Sequence, residues 1–429
     1  MSRIFETLGA DEHSLPLLWI AAPLTGLIVQ PIIGQMSDNT WHSRYGRRRP
    51  YFLIGAILAS ITLLFVPHSS ALWMAAGGLW ILDASMNISM EPFRALVADK
   101  LPDSQRSFGF VVQTLIIGVS TWVASNLPLL VSSLGVSNEA DPGVVPMSVK
   151  VAFGIGAVIF LLAILYTVFT TDEYPPEDMD AFRAEQKENA GLINTLREVG
   201  KNIGNMPLTM KKLGVVQFFS WFAFFCMWSM ANPALTDHIY GAAKPEAIEF
   251  ATSTAAQIDA YQLADKAFND ASNQVGSHMG NYGLSSMLFA LLLTFWTAKR
   301  RINRKYVHMF SLFAGAYGFI SMYFITEPSM LTLSFVCIGF SWGSILSMPY
   351  AMLSSTLDPN KMGVYMGIFN MFIVIPQIVA ATSLTVIYKS LFGAEPINAM
   401  LLAGASLVIA GFANLLITNR HAVTYTPSE

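Results

Sequence analysis

The chain has 429 residues, 53% of them hydrophobic and 12% charged, with a net charge of −3 and a mean hydropathy of +0.49. Soluble domains carry roughly twice that share of charge, so a water-soluble globular fold is excluded, and the weakly acidic balance argues against a nucleic-acid partner. Apolar runs of about 20 residues recur along the whole length, which defines an all-α protein that crosses a bilayer many times.

Eleven spans are predicted, over residues 15–36, 51–67, 71–98, 107–133, 148–170, 212–238, 277–298, 307–326, 330–356, 362–386 and 396–418. The loops 37–50, 99–106, 171–211, 299–306 and 357–361, the C-terminal tail and the boundary residue Lys212 hold 19 of the 25 Lys and Arg, and the opposite loops hold five. That excess marks the cytoplasmic side and places the C-terminus there. The spans group into an N-terminal bundle (1–170), a cytoplasmic linker (171–211), a C-terminal bundle (212–418) and a cytoplasmic tail (419–429).

The first span carries Gln30, and the loop after it, Gly34 to Pro50, reads GQMSDNTWHSRYGRRRP. Asp38 can pair there with a basic residue and with amides exposed at a neighbouring helix N-terminus. Such a contact can latch the cytoplasmic side in one state and release it in another. Arg44, Arg47, Arg48 and Arg49 can equally be positive-inside anchors.

The third span holds the most informative stretch, Leu79 to Asp99, LWILDASMNISMEPFRALVAD. A charge at membrane depth is expensive and normally faces a protein interior or a water-filled path. Asp83 and Arg94 lie on one helical face, roughly 16 Å apart along the axis. Glu91 and Arg94 are three residues apart, within reach of a direct pair. Pro92 between them removes a backbone hydrogen bond and predicts a kink. A buried ion pair that merely holds helices together is the competing reading, although Asp83 has no partner in reach on its own helix. Asn87, one turn from Asp83, and Gln113, in the following span, are polar groups in apolar runs and fit a cavity lining.

The linker opens with DEYPPEDMD and continues in a polar helical pattern, as expected of a surface-lying helix. The span after it packs seven aromatic rings into residues 217–232, with Trp221 and Trp228 on one face. The external loop 239–276 is Ala-rich and helix-prone, carries Glu246, Glu249, Asp259, Asp265 and Asp270, and reads as a solvated cap. Gly367 to Gln377, GIFNMFIVIPQ, sets the amides of Asn370 and Gln377 two turns apart on one face. Cys226 and Cys337 both fall in apolar runs, which disfavours a disulfide. The halves read as copies: Pro92 and Pro349, and Pro102 and Pro359, are each 257 residues apart, and the same offset sets Arg47 on Arg304 and Arg48 on Lys305. In the second copy Arg94 becomes Ala351, and no acid stands opposite Asp83. There is no H-E-x-x-H, P-loop or nucleophile elbow, so no enzyme activity, metal or cofactor is expected, and transport must draw on an ion gradient or run downhill.

The WILD sequence that ends at Asp83, followed by an Asn and then P-x-R-A-L-x-A-D, resembles the sucrose-type (glycoside-pentoside-hexuronide) proton:sugar symporters of the major facilitator superfamily. Gly34–Pro50 resembles that superfamily's G-x-x-x-D-x-x-G-R-R signature with a longer insert, and Arg44–Pro50 matches the form R-x-G-R-R-R-P. Gly367–Gln377 resembles the symporters' eleventh-helix signature, G-x-x-N-x-x-I-V-x-P-Q. The resemblance implies two pseudo-repeated six-helix bundles with the substrate site between them near mid-membrane. It implies a monomeric, proton-coupled importer of a disaccharide-type glucoside of the sucrose or maltose class. Asp83 would then carry the proton, with Arg94 its functional partner and Glu91 close by. Glu91 stands where plant members of the family have Gly. Candidates for sugar contact are Gln30, Asn87, Gln113, Trp228, Asn370 and Gln377, although buried amides can also tie helices together. Gly34, Asp38, Arg44, Gly46, Arg47 and Arg48 would form the cytoplasmic gating motif.

The superfamily has twelve spans, and residues 3–10, RIFETLGA, resemble the outer end of its first helix. A first helix is therefore expected to be encoded upstream of Met1. Rival expectations are an exporter or proton–drug antiporter, and a polytopic sugar sensor without transport. The expected location is a bacterial cytoplasmic membrane, since the only Asn-x-Ser/Thr match, Asn87, lies within a span.

Overall fold

Pro23 shapes the entry into the first bundle. Its ring excludes the carbonyl four residues earlier and it has no N–H to donate, so the predicted span 15–36 is divided into α2 (Leu15–Leu18) and α3 (Ala21–Asp38). The computed structural model describes all residues except 12–13, 39, 101–102, 176–177, 181, 183–203, 247, 251, 298–299, 357–361, 393–394, 419 and 426–429. Most of the expected linker helix lies outside the described residues.

A short α1 (Ser2–Thr7) precedes α2 and α3, and α4 (Arg49–Phe65), α5 (Leu72–Lys100), α6 (Asp103–Ser133) and α7 (Met147–Thr170) complete the first half. The second half is α8 (Leu208–His238), α9 (Ala255–Thr297), α10 (Arg304–Ser321), α11 (Leu331–Ser354), α12 (Met362–Phe392) and α13 (Asn398–Ala413). Among the described residues every predicted span thus corresponds to a long helix, and seven stretches are long and apolar enough to cross a membrane by length and composition. α5 continues through Pro92 and α11 through Pro349. A two-residue strand, β1 (Ile302–Asn303), pairs antiparallel with β2 (Thr424–Tyr425), so the tail folds back onto the second half where α10 begins.

The packing repeats with the sequence. α4 lies against α5 and α7 and α3 against α5; correspondingly, α10 lies against α11 and α13 and α9 against α11. Across the halves, α6 packs along α9 and α3 along α12. Gly118 and Gly283 bring α6 and α9 together, since a Cβ on Gly118 would stand 2.9 Å from the Gly283 carbonyl and 2.8 Å from Met287 Cβ.

The external segment corrects one expectation. Residues 255–276 are not a separate solvated cap but the first half of α9, which runs unbroken to Thr297. The Ala-rich composition favours helix, and a stripe of buried polar residues along it, Asp265, Asn269, Ser272 and Asn273, faces protein.

Candidate functional site

The polar pair expected on α5 is held against α3. Asn87 Nδ2 donates to the Asp83 backbone carbonyl at 2.9 Å and to Thr25 Oγ1 at 3.2 Å, and Gln30 Nε2 donates to Asn87 Oδ1 at 2.7 Å. Gln30, Thr25 and Asn87 are therefore one hydrogen-bonded cluster, one turn along α5 from Asp83. Asp83 Oδ2 is buried and has no hydrogen-bond partner among the described residues. A buried carboxyl oxygen without a partner is costly to hold in the folded state, which sets this group apart from the hydrogen-bonded side chains beside it. Glu91 and Arg94 belong to α5, but their side chains lie outside the described part of the structure.

The facing half supplies rings. Trp342 on α11 is the hub, with ring centroids 5.3 Å from Trp221, 4.9 Å from Phe224, 5.4 Å from Trp228 and 6.3 Å from Tyr282 of α9. These tilted and edge-on contacts follow the quadrupole preference of aromatic pairs. Trp228 is thus part of a box whose centre is another residue. Gln217 sits four and seven residues before Trp221 and Phe224, so it shares their helical face. It is fully buried, and neither end of its amide, nor Trp221 Nε1, has a partner among the described residues. Polar groups buried in this way are normally hydrogen-bonded, and exceptions mark a water, an ion or a ligand position.

The remaining candidates are dispersed. Gln113 on α6 and Asn370 on α12 are half-buried, and the buried Gln377 donates to the Ile373 carbonyl of its own helix at 3.0 Å. None of the three is joined to Asp83 by a hydrogen bond among the described residues.

The loop between α3 and α4 has an unexpected keystone. The Glu173 carboxylate, just past α7, accepts the backbone amides of Arg47, Arg48 and Arg49 at 2.9–3.0 Å and lies 3.6 Å from Arg49 Nε. An acid on the open amides of a helix N-terminus is favoured by both the free donors and the helix dipole. Gly46 adopts φ +73°, and a Cβ there would stand 2.6 Å from the Glu173 carboxyl, so only glycine fits. Arg48 donates to Ser37 Oγ of α3 at 2.7 Å, Arg49 donates to the Val168 carbonyl, Arg47 lies over the Phe182 ring and Arg44 over Tyr45. Gly34 and Asp38 belong to α3, with the Asp38 side chain outside the described part. Replacing Glu173 with Gln removes its charge while keeping its shape. It is expected to destabilise the protein by roughly 1–2 kcal/mol, read as a lower thermal-unfolding midpoint, with Gly46→Ala acting in the same direction. Unchanged midpoints for both would remove this role.

At the opposite end the halves are tied by polar contacts. Arg3 donates to Asn269 at 3.0 Å, to Asn138 at 2.8 Å and to Asn273. Asn138 donates to Asp270 at 2.8 Å, Asn232 to Glu6 at 2.7 Å, and Ser277 to Asn126 at 2.6 Å. Lys266 meets Glu139 at 2.5 Å, a hydrogen bond that pushes the pKa of its ammonium up. Apart from the Arg3–Asn138 bond, which lies within the first half, each of these bonds joins one half to the other. These contacts close that end of the molecule, the one opposite the basic loop 37–50.

Two bundles that repeat one packing pattern meet along α6–α9 and α3–α12, and a buried carboxyl oxygen on α5 has no partner among the described residues. The chain belongs to the Major Facilitator Superfamily, whose family model matches residues 1–381. It is 25% identical to the sucrose transport protein SUT5 of Oryza sativa subsp. indica over 89% of this chain and 76% of that one. It is 23% identical to the sucrose transport protein SUC4 of Arabidopsis thaliana over 97% of this chain and 85% of that one. A general alpha-glucoside permease of Schizosaccharomyces pombe is 27% identical over 51% of this chain and 41% of that one. Among solved structures, a D-xylose-proton symporter superposes with a TM-score of 0.64 at 14% identity, covering 98% of this chain and 93% of that one. The inward open conformation of the xylose transporter XylE from E. coli gives 0.63 at 14% identity, covering 97% and 91%. These two establish the fold. The sequence relatives are plant and yeast proteins and lend the expected bacterial membrane no support.

Proposed function

We propose that the protein is a proton-coupled importer of a disaccharide-type glucoside, of the sucrose or maltose class, working by alternating access as a monomer. The observation that carries this reading is the buried Asp83 Oδ2, without a partner among the described residues, beside the Gln30–Thr25–Asn87 cluster, on a helix whose sequence resembles that of sucrose-type symporters. The names of the sequence relatives support the substrate class. Asp83 takes a proton from the outside and releases it inside, so its proton affinity differs between the two open states. Sugar hydroxyls bonded to the protonated carboxyl and to the neighbouring amides tie the two loads together. Rocking of the halves about the α6–α9 and α3–α12 seams then exposes the site to either side.

The direct test is uptake into proteoliposomes of labelled sucrose and labelled maltose, with an acid-outside gradient. Accumulation that collapses with a protonophore is expected. Efflux driven by the opposite gradient alone would favour the exporter, and absence of flux with retained sugar binding would favour a sensor. Arg94→Lys keeps the charge but loses the planar fork of donors. It is expected to lower uptake at least tenfold, and uptake at the wild-type rate with the same pH dependence would make Arg94 a structural charge.

A further inference from the structure

The outward face of the second half contains a groove that transport does not use. α9 and α10 both pack along α11, and between their cytoplasmic ends they leave a cavity of about 540 Å³. Phe340 of α11 lines it together with Phe289, whose ring is tilted with its centroid 6.0 Å away, and with Trp296 and Phe310. Trp296 is 59% exposed and Phe310 65% exposed, so in a membrane these rings meet lipid. The rim has a different character. The segment 300–306 carries Arg300, Arg301, Arg304 and Lys305 and no acid. Two of these cations are engaged with protein, Arg304 with the Ala351 carbonyl at 2.9 Å and Lys305 with the Leu415 and Ile417 carbonyls at 2.8 and 2.9 Å. Arg301 instead lines the groove and is exposed. The pairing of Ile302 with Tyr425 and of Asn303 with Thr424 fixes the backbone next to it.

We propose that this groove binds an anionic phospholipid of the cytoplasmic leaflet, with one acyl chain lying along Trp296, Phe310 and Phe340 and the phosphate against Arg301. The shape selects the chain. A helix is about 10 Å across and does not fit a slot of that volume, whereas a single acyl chain does. The charge selects the head. The segment has an excess of cations with no acid to balance them, and cations at the cytoplasmic rim of a pocket between transmembrane helices attract anionic headgroups. A zwitterionic lipid brings its own cation and gains less. Trp296 and Tyr306 line the groove with Arg301, and such amphipathic rings favour the membrane interface, which puts the phosphate at Arg301.

The test titrates the purified full chain in neutral detergent with phosphatidylglycerol, with phosphatidylcholine and with inorganic phosphate. Bound lipid is counted by native mass spectrometry and the thermal-unfolding midpoint is followed in parallel. Phosphatidylglycerol should bind saturably and raise the midpoint, and the other two should not. Arg301→Gln should raise the half-saturating lipid concentration about fivefold. Leu292→Trp, which fills the groove from its exposed wall and leaves every cation in place, should abolish the saturable binding. Lys211→Gln, a cytoplasmic cation outside the groove, should change neither readout. Equal binding of phosphatidylcholine, a midpoint raised by phosphate alone, or full binding by Leu292→Trp would each overturn the proposal. The last would reduce Arg301 to a nonspecific surface anchor.

Discussion

Asp83→Asn reconstituted in proteoliposomes is expected to lose sugar accumulation driven by a pH gradient while still exchanging labelled for unlabelled sugar. The variant keeps a hydrogen-bonding side chain on α5 next to Asn87, so the polar cluster with Gln30 and Thr25 survives. What it removes is the titratable group to which the proposed function assigns the proton. An amide does not titrate, so the loaded carrier still crosses but no proton moves with the sugar. The expected effect is complete for accumulation and at most a few-fold for exchange. Undiminished accumulation by the variant would show that the proton is carried elsewhere. Loss of both activities in a variant that unfolds at the wild-type temperature would make Asp83 a binding residue alone.

Arg3→Ala is expected to shift the resting population toward the outward-facing form by tenfold or more. Arg3 ties Asn138 of the first half to Asn269 and Asn273 of the second, and Asn269 in turn holds Asp265, which is paired with Lys244 at 2.8 Å. Hydrogen bonds to a charged group contribute roughly 1.5–3 kcal/mol each, and about 1.4 kcal/mol is a factor of ten in population. Both halves persist intact in the outward-facing form, so the loss falls on the equilibrium between states. Ser277→Cys, in a background of Cys226→Ser and Cys337→Ser, reports the change as faster labelling by an impermeant maleimide from outside. Glu139→Gln breaks the Lys266 pair, which is exposed and screened, and is expected to change labelling little. Equal labelling of the Arg3→Ala protein and its parent would show that the seal is held by the α6–α9 packing alone.

Much of this architecture was legible in the sequence because the bilayer simplifies the code. Uncompensated charge is rare at membrane depth, so Asp83 stood out against WILD and the following apolar residues. The offset of 257 residues announced the repeated packing that pairs α4 with α5 and α10 with α11. Contacts between residues far apart in the chain were not legible. Glu173 follows Arg47 by 126 residues, and nothing in DEYPPEDMD distinguishes it from its acidic neighbours; only the fold brings it onto the amides of α4. The seal at Arg3 was hidden for the same reason, since its partners lie 135 and 266 residues away. Trp342 looked like any aromatic residue in an apolar run, and its place at the hub of the ring cluster depends on α11 packing against α8 and α9. Gln217 was visible as a polar residue, but only burial without a partner marks it.

Sugar-induced proton movement tests the central claim most directly. Proteoliposomes loaded with a pH-sensitive dye, with no imposed pH gradient, receive sucrose or maltose from outside. The account predicts acidification of the lumen that starts with sugar addition, saturates with sugar concentration, and is absent in the Asp83→Asn protein even though that protein still exchanges sugar. Sugar entry without any change in luminal pH would contradict it.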